Sequence, residues 1–112
     1  MKMVTCIVRP EKLDPITNAL DKLHIVGMMV TDVRGFGRQK GQVEHYRGGE
    51  YTIRFINKVR IDMAVQDEDV KKVTEAVSKA AFTGNVGDGK IFITPVENAL
   101  RIRTGEVGTS AL

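Results

Sequence analysis

Thr83-Gly84-Asn85-Val86-Gly87-Asp88-Gly89-Lys90 sets three glycines and a lysine close together, with Arg101 and Arg103 a short way downstream. Residues without Cβ can take positive φ, so such a segment can fold tightly and aim several N–H groups at one anion. Lys90 adds a point charge, and the two arginines add planar forks that match phosphate oxygens. This is polyphosphate-binding chemistry. On residue chemistry alone the bland alternative, a glycine turn with a solvated lysine, stays open beside it.

Gly84 to Lys90 also satisfies G-x-x-x-x-G-K. A P-loop needs Ser or Thr after the lysine to hold Mg²⁺, and a helix opening directly behind it. Here Ile91-Phe92-Ile93-Thr94 follows and reads as a strand. The order helix, glycine loop, strand reverses that of a P-loop, so the Walker reading is rejected while phosphate binding is kept.

The elements that must position these groups follow from periodicity. Met3 to Arg9 is a short apolar run stopped by Arg9-Pro10 and reads as a buried first strand. Leu13, Ile16, Leu20 and Leu23 have helical spacing, ended by Gly27. Two starts are open for that helix: Asp14 and Pro15 as N-cap and N1, or an opening near Glu11 with Pro15 inside the first turn. Met28 to Phe36 reads as a second strand. From Gly37 to about Glu50 the chain is polar and glycine-rich, with no period that would bury it, and Tyr51 to Phe55 is a candidate for extended chain. Long loops of this kind are usually functional.

Lys58 to Val65 alternates, with Val59, Ile61, Met63 and Val65 on one face. Asp67 is the expected cap of a second helix whose apolar face is Val70, Val73, Ala76, Val77, Ala80 and Ala81, closed by Gly84. Ile91 to Thr94 is the last strand, and a tail runs from Pro95. The order β-α-β, loop, β-α-β predicts an α+β fold of the ferredoxin-like plan, one domain over residues 1–112 with both helices on one sheet face. The uncovered face points to self-association.

Composition bounds the function. With 42% hydrophobic and 28% charged residues, the chain reads as an ordinary globular domain. A net charge of +3 with both signs interleaved argues against a dedicated nucleic-acid groove. Cys6 stands alone in an apolar strand, so neither an internal disulfide nor a thiolate metal cluster is available. No run approaches the roughly 20 apolar residues of a membrane span, and the opening lacks a signal peptide's features, so a cytoplasmic protein is expected.

Five ordered motifs resemble the PII nitrogen-regulatory signal proteins, and the resemblance runs from Met1 to Leu112. They are Arg9-Pro10-Glu11-Lys12-Leu13-Asp14, Arg34-Gly35-Phe36-Gly37-Arg38-Gln39-Lys40-Gly41, Tyr46-Arg47-Gly48-Gly49-Glu50-Tyr51, the segment Thr83 to Phe92, and Arg101-Ile102-Arg103-Thr104-Gly105-Glu106. The resemblance implies a cytoplasmic homotrimer sensing ATP, ADP and 2-oxoglutarate, with a long T-loop (about 37–55) that docks on targets. It implies a switch that is not an enzyme, with ATP hydrolysis at most slow.

The same resemblance implies site residues. Gly87, Asp88, Gly89 and Lys90 would wrap the phosphates, with Arg101 and Arg103 reaching them across a cleft between subunits. Ile7, Gly35, Phe36, Gly37, Arg38, Asp62, Ala64 and Thr83 would line the base and ribose region. Gln39 would join ATP phosphates and 2-oxoglutarate around Mg²⁺. Lys58 would pair with a 2-oxoglutarate carboxylate, assisted by Gly37, Lys40, Gly41 and Gly87. Arg47 would contact a partner, first an ammonium transporter that draws the protein reversibly to the membrane without inserting it. Glutamine synthetase regulators or acetylglutamate kinase are further implied partners.

Four positions depart from the family's habit. Met29 and Phe82 stand where Thr and Arg are common, Asp62 is one methylene shorter than the common Glu, and Asn57 replaces a frequent Pro. These bear on nucleotide affinity and selectivity. Gly49 offers no hydroxyl to phosphorylate, whereas Tyr51 keeps its phenol for nucleotidylylation.

Two other function classes are weighed. RNA-recognition motifs share the β-α-β-β-α-β plan, and Arg34-Gly35-Phe36-Gly37 fits the start of the RNP1 consensus. Arg38-Gln39-Lys40 then stands where stacking aromatics should continue. For an enzyme, His24 and His45 have no acid or nucleophile placed beside them by sequence logic, and no general base is evident for ATP hydrolysis.

Overall fold

Val4, Cys6 and Val8 alternate on strand β1 (Lys2–Val8), and Val59, Ile61, Met63 and Val65 alternate on a long strand at Ile56–Val65. The two strands pair antiparallel with Val4 opposite Met63, Cys6 opposite Ile61 and Val8 opposite Val59. Directly opposed residues share a face, so this register puts all seven buried side chains on one side of the sheet. The computed structural model that shows this describes residues 1–25, 27–36, 43–46, 50–53 and 55–112.

In chain order the elements are β1, helix α1 (Leu13–Lys22), β2 (Met29–Gly35), β3 (Val43–Tyr46), β4 (Glu50–Ile53), β5 (Ile56–Val65), helix α2 (Val70–Ala81) and β6 (Lys90–Pro95). The main sheet has the order β2-β5-β1-β6 with every neighbouring pair antiparallel. Ile16 and Leu20 of α1 and Val73, Val77 and Ala81 of α2 complete the core against it. The ferredoxin-like α+β plan is therefore present. Between β2 and β5 the chain makes a separate antiparallel hairpin, β3 with β4, registering His45 against Tyr51. Strand β3 corrects the expectation of no strand structure between Gly37 and Glu50, whereas β4 agrees with the extended chain expected from Tyr51. A two-stranded hairpin pairs the inner half of its backbone groups and leaves the outer half to water, so it needs no buried face and the absent burial pattern did not forbid it.

Several element ends differ from their sequence signals. Pro10–Lys12 is a 3₁₀ turn leading into α1, which places Pro15 in the first helical turn, the second of the two expected starts. Helix α1 stops at Lys22 rather than at Gly27. His24 takes φ of 60°, while the Ile25 N–H bonds to the Leu20 carbonyl and the His24 N–H to the Asp21 carbonyl. This is a Schellman end with histidine in the left-handed seat that glycine usually fills. His24→Gly should accordingly stabilise the fold by about 1 kcal/mol, since a side chain in that region costs roughly 1–2 kcal/mol. Urea unfolding midpoints measure it.

Asp67 does not cap α2 with its side chain. It opens a 3₁₀ turn, Asp67–Asp69, and its carboxylate meets the Met1 ammonium at 3.0 Å and Lys2 Nζ at 3.2 Å. Two nearby cations outcompete the backbone N–H groups for the same oxygens. Gly84 does not close α2 either, because Phe82 has already turned to extended geometry.

Among the described residues, the other sheet face carries no helix. By alternation and register it presents Met3, Thr5 and Ile7 of β1, Lys58, Arg60, Asp62 and Ala64 of β5, and Lys90, Phe92 and Thr94 of β6. Its two central strands display no aromatic ring, which removes the stacking platform an RNA-recognition motif requires. Among the described residues, no helix is long and apolar enough to cross a membrane.

Candidate functional site

The glycine segment joins α2 to β6 and is built around one carboxylate. Asp88 accepts the Thr83 N–H at 2.8 Å, the Gly84 N–H at 2.9 Å, the Thr83 hydroxyl, and Arg9 Nε–H at 3.3 Å. The Thr83 bonds, then those from Gly84 and Arg9, hold this carboxyl well below the usual range. Gly84, Gly87 and Gly89 take φ of 89°, 107° and 106°. At Gly89 a Cβ would lie 1.8 Å from the Ile7 carbonyl oxygen, so only glycine lets the loop rest on β1. Asp88 was expected among residues wrapping phosphates. Its carboxylate is spent on the loop's own amides, which leaves its main chain as the part that can face an anion.

The sign of the Asp88 effect fixes a pH response. A depressed carboxyl stabilises its fold above the unfolded pKa of about 3.9 and loses that contribution as pH falls toward the lowered value. Thr83 and Gly84 amide chemical shifts should therefore hold steady from pH 7 to about pH 4 and move only below it. Asp88→Asn should shift both already at pH 7.

Beside the loop, on the helix-free side, lies an open cavity of about 550 Å³. Gly87, Gly89 and Lys90 form one wall and Gly35, Phe36 and Lys58 another, with Ile7 between. Seven of the expected site residues thus meet in one place. Ile56, Val86 and Phe92 are the other described residues of the lining and were not anticipated. For Phe92 a signal existed, since it alternates with Lys90 on β6 and so faces the same side. A cavity of similar size, about 570 Å³, runs along α2 between Thr74, Glu75, Ser78, Lys79, Phe82 and Ile91. Among the described residues it contains no glycine loop and one cation, Lys79, so the chemistry favours the first.

Lys58 Nζ–H donates to the Gly87 carbonyl at 2.6 Å, which ties β5 to the loop. Burial first, and the nearby Arg9 charge second, push Lys58 below the ordinary lysine range. The Phe36 ring lies 6.2 Å from that of Phe55, tilted by 60°. These rings flank the segment 37–54 on its two sides, and Phe36 also lines the cavity.

Other expected residues stand elsewhere. Asp62 shares the open face but accepts the Thr5 hydroxyl at 2.6 Å and Arg60 Nε–H at 2.8 Å, and its carboxyl is lowered chiefly by Arg60. Ala64 lies on the same strand. Thr83 serves the Asp88 network. Met29 pairs with Asp62 across the β2–β5 ladder and is exposed, as is Phe82. Asn57 faces Arg34 in the same ladder.

Arg101 is held within the tail. Its guanidinium reaches Glu106 Oε1 at 3.1 Å and the Leu112 carbonyl at 2.9 Å, and Leu100 bridges Val107. Neither Arg101 nor Arg103 lines the cavity of this single chain. Gly37, Arg38, Gln39, Lys40, Gly41 and Arg47 lie outside the described residues, and so does the metal role expected of Gln39. Among the described residues no group of three His, Cys, Asp or Glu side chains could hold a metal ion. Tyr51 lies on β4.

Comparison with known proteins bears on what this arrangement serves. The family model described as nitrogen regulatory protein P-II matches residues 1–106. Over 112 residues, covering all of both chains, the sequence is 54% identical to the nitrogen regulatory protein P-II of Microchaete diplosiphon. On the same full coverage it is 51% identical to nitrogen regulatory protein GlnK of Escherichia coli (strain K12) and 50% identical to nitrogen regulatory protein P-II of Azospirillum brasilense. Likeness of this degree over every element leaves no part of the fold or of the glycine loop outside the comparison: the chain belongs to the nitrogen regulatory protein P-II family.

Proposed function

We propose that this nitrogen regulatory protein is a ligand-operated switch that binds ATP or ADP and, through Mg-ATP, 2-oxoglutarate. The observation that carries the reading is the cavity where Gly87, Gly89, Lys90 and Lys58 meet Ile7, Gly35 and Phe36. Backbone N–H groups and two lysines suit phosphate and carboxylate, and the apolar wall suits a base. The donor set thus fits an anionic nucleotide. Bound Mg²⁺ would supply a cation shared by phosphate and effector oxygens, with Gln39 its expected protein ligand. A homotrimer is part of the proposal: Arg101 and Arg103 of one subunit would complete the phosphate site of a neighbour.

Isothermal titration with ATP, ADP, adenosine and 2-oxoglutarate tests the reading. Tight ATP binding with weak adenosine binding is expected, and an absence of heat with ATP and ADP alike would end it.

The output is assigned to the T-loop. Phe36 belongs to the cavity wall and packs on Phe55, so a ligand that moves Phe36 acts on both ends of the segment. Ligands shift such a segment only through differential affinity for its states. An ammonium transporter is the proposed first target, with Arg47 as the inserting residue, and glutamine synthetase regulators or acetylglutamate kinase follow. Membranes carrying the cognate transporter should retain the protein with ADP and release it with Mg-ATP plus 2-oxoglutarate. Arg47→Ala should weaken retention while ligand titrations stay unchanged. Retention indifferent to ligands would favour a soluble enzyme partner.

A further inference from the structure

Arg9 directly follows β1 and precedes Pro10, which restricts the residue before it to extended geometry. Arg9 adopts φ −66° and ψ 140° accordingly. Alternation from Ile7 sends its side chain toward the glycine loop rather than into the core. There it makes two contacts, with residues 77 and 79 positions later in the chain. Nε–H donates to the Asp88 carboxylate at 3.3 Å, and Nη2–H donates to the Val86 carbonyl at 3.0 Å. The side chain is only 15% exposed, and its Asp88 contact is partly buried while the Val86 contact lies at the surface.

These contacts flank Gly87. The loop has three glycines in left-handed conformations and would sample many shapes if it were free. It is held from beneath by Arg9 at residues 86 and 88, and by Lys58 at the carbonyl of residue 87. Arg9, just after β1, and Lys58 on β5 thus brace three consecutive loop residues. If an anion takes Lys58 as its own partner, Arg9 is the brace that remains.

Resting on the nucleotide reading above, we infer that Arg9 is a positioning residue for phosphate recognition. It fixes the glycine loop through Val86 and Asp88 so that the N–H groups of Gly87 and Gly89 converge before the ligand arrives. Preorganised donors bind better because ordering is not charged against affinity. The guanidinium fork matters as much as the charge, since a lysine ammonium cannot hold two divergent acceptors in one fixed plane.

The test compares wild-type, Arg9→Gln, Arg9→Lys, Asp88→Asn and Arg9→Gln/Asp88→Asn proteins by titration with ATP and with adenosine. Arg9→Gln should weaken ATP binding tenfold or more and leave adenosine within twofold. Arg9→Lys should recover only a small part of that loss. The double variant should lose less than the product of the two single losses, because both changes release one loop. In ligand-free protein the Gly87 and Gly89 amide signals of Arg9→Gln should move, reporting a changed loop without reference to affinity. Full recovery by Arg9→Lys would show a charge effect and overturn the brace. Equal losses for ATP and adenosine would mean general damage and overturn it too. If wild-type protein binds no ATP, the nucleotide reading itself fails; if wild-type binds and Arg9→Gln binds as well, only this inference does.

Discussion

Gly89→Ala is expected to cost the fold about 3–5 kcal/mol, the range of severe single substitutions. The new Cβ would sit 1.8 Å from the Ile7 carbonyl oxygen and 2.9 Å from its carbon. Those are backbone atoms of a central strand, registered on one side to Arg60 and on the other to Lys90. Neither ladder can yield without losing hydrogen bonds, so the strain must be taken by the loop or by β1. The substitution also forces a side chain to φ of 106°, which adds a backbone penalty of roughly 1–3 kcal/mol. Gly105→Ala is the matched control. Its φ is 74° but nothing lies within 4 Å of the added carbon, so it should cost only about 1 kcal/mol. Urea denaturation of both variants separates clash from conformation. Equal midpoints would mean that β1 gives way more easily than its pairing implies.

That contrast also shows where sequence information ends. Gly89 was legible as a loop glycine, but its reason is a carbonyl more than eighty positions earlier. The core was readable because alternation in β1 and β5 and the apolar stripes of α1 and α2 are local periodicities. The register that joins them follows from burying one face. The site was readable in part. The glycine loop, Lys58 and Gly35-Phe36 carry recognisable motifs, and the fold brings them to one cavity. Val86, inside the glycine motif, and Ile56 carry no signal of their role, since an apolar residue in or beside a motif has the same appearance whether it lines a cavity or faces water. Asp88 has a motif but not a visible role, because only coordinates tell whether a carboxylate faces a ligand or the amides behind it. The cap of α1 at His24 was hidden for a related reason: histidine occupies a left-handed seat that glycine usually fills.

Under the proposed function, Lys58→Met should weaken 2-oxoglutarate binding by about 10- to 100-fold and change ATP binding by less than about threefold. A hydrogen bond to a charged group contributes about 1.5–3 kcal/mol, and about 1.4 kcal/mol is tenfold in affinity. In the free chain Lys58 Nζ is occupied by the neutral Gly87 carbonyl at 2.6 Å. A carboxylate is the stronger acceptor for an ammonium, so an arriving effector can displace that carbonyl with net gain. Methionine keeps the apolar stem of lysine and removes only the charge, which isolates this exchange from packing. A pH response follows from the same residue. Burial and Arg9 lower the Lys58 pKa, so its cationic form is lost at less alkaline pH than for an ordinary lysine near 10.4. Effector affinity should therefore decline as pH rises through that lowered value, and the decline should vanish in Lys58→Met. A dianion beside a triphosphate is repelled unless a cation lies between them. Wild-type protein should accordingly bind 2-oxoglutarate with Mg-ATP and show no binding in EDTA or with ADP alone. Tight 2-oxoglutarate binding without nucleotide would sink the shared-metal arrangement, while unchanged affinity in Lys58→Met would remove Lys58 from the effector site.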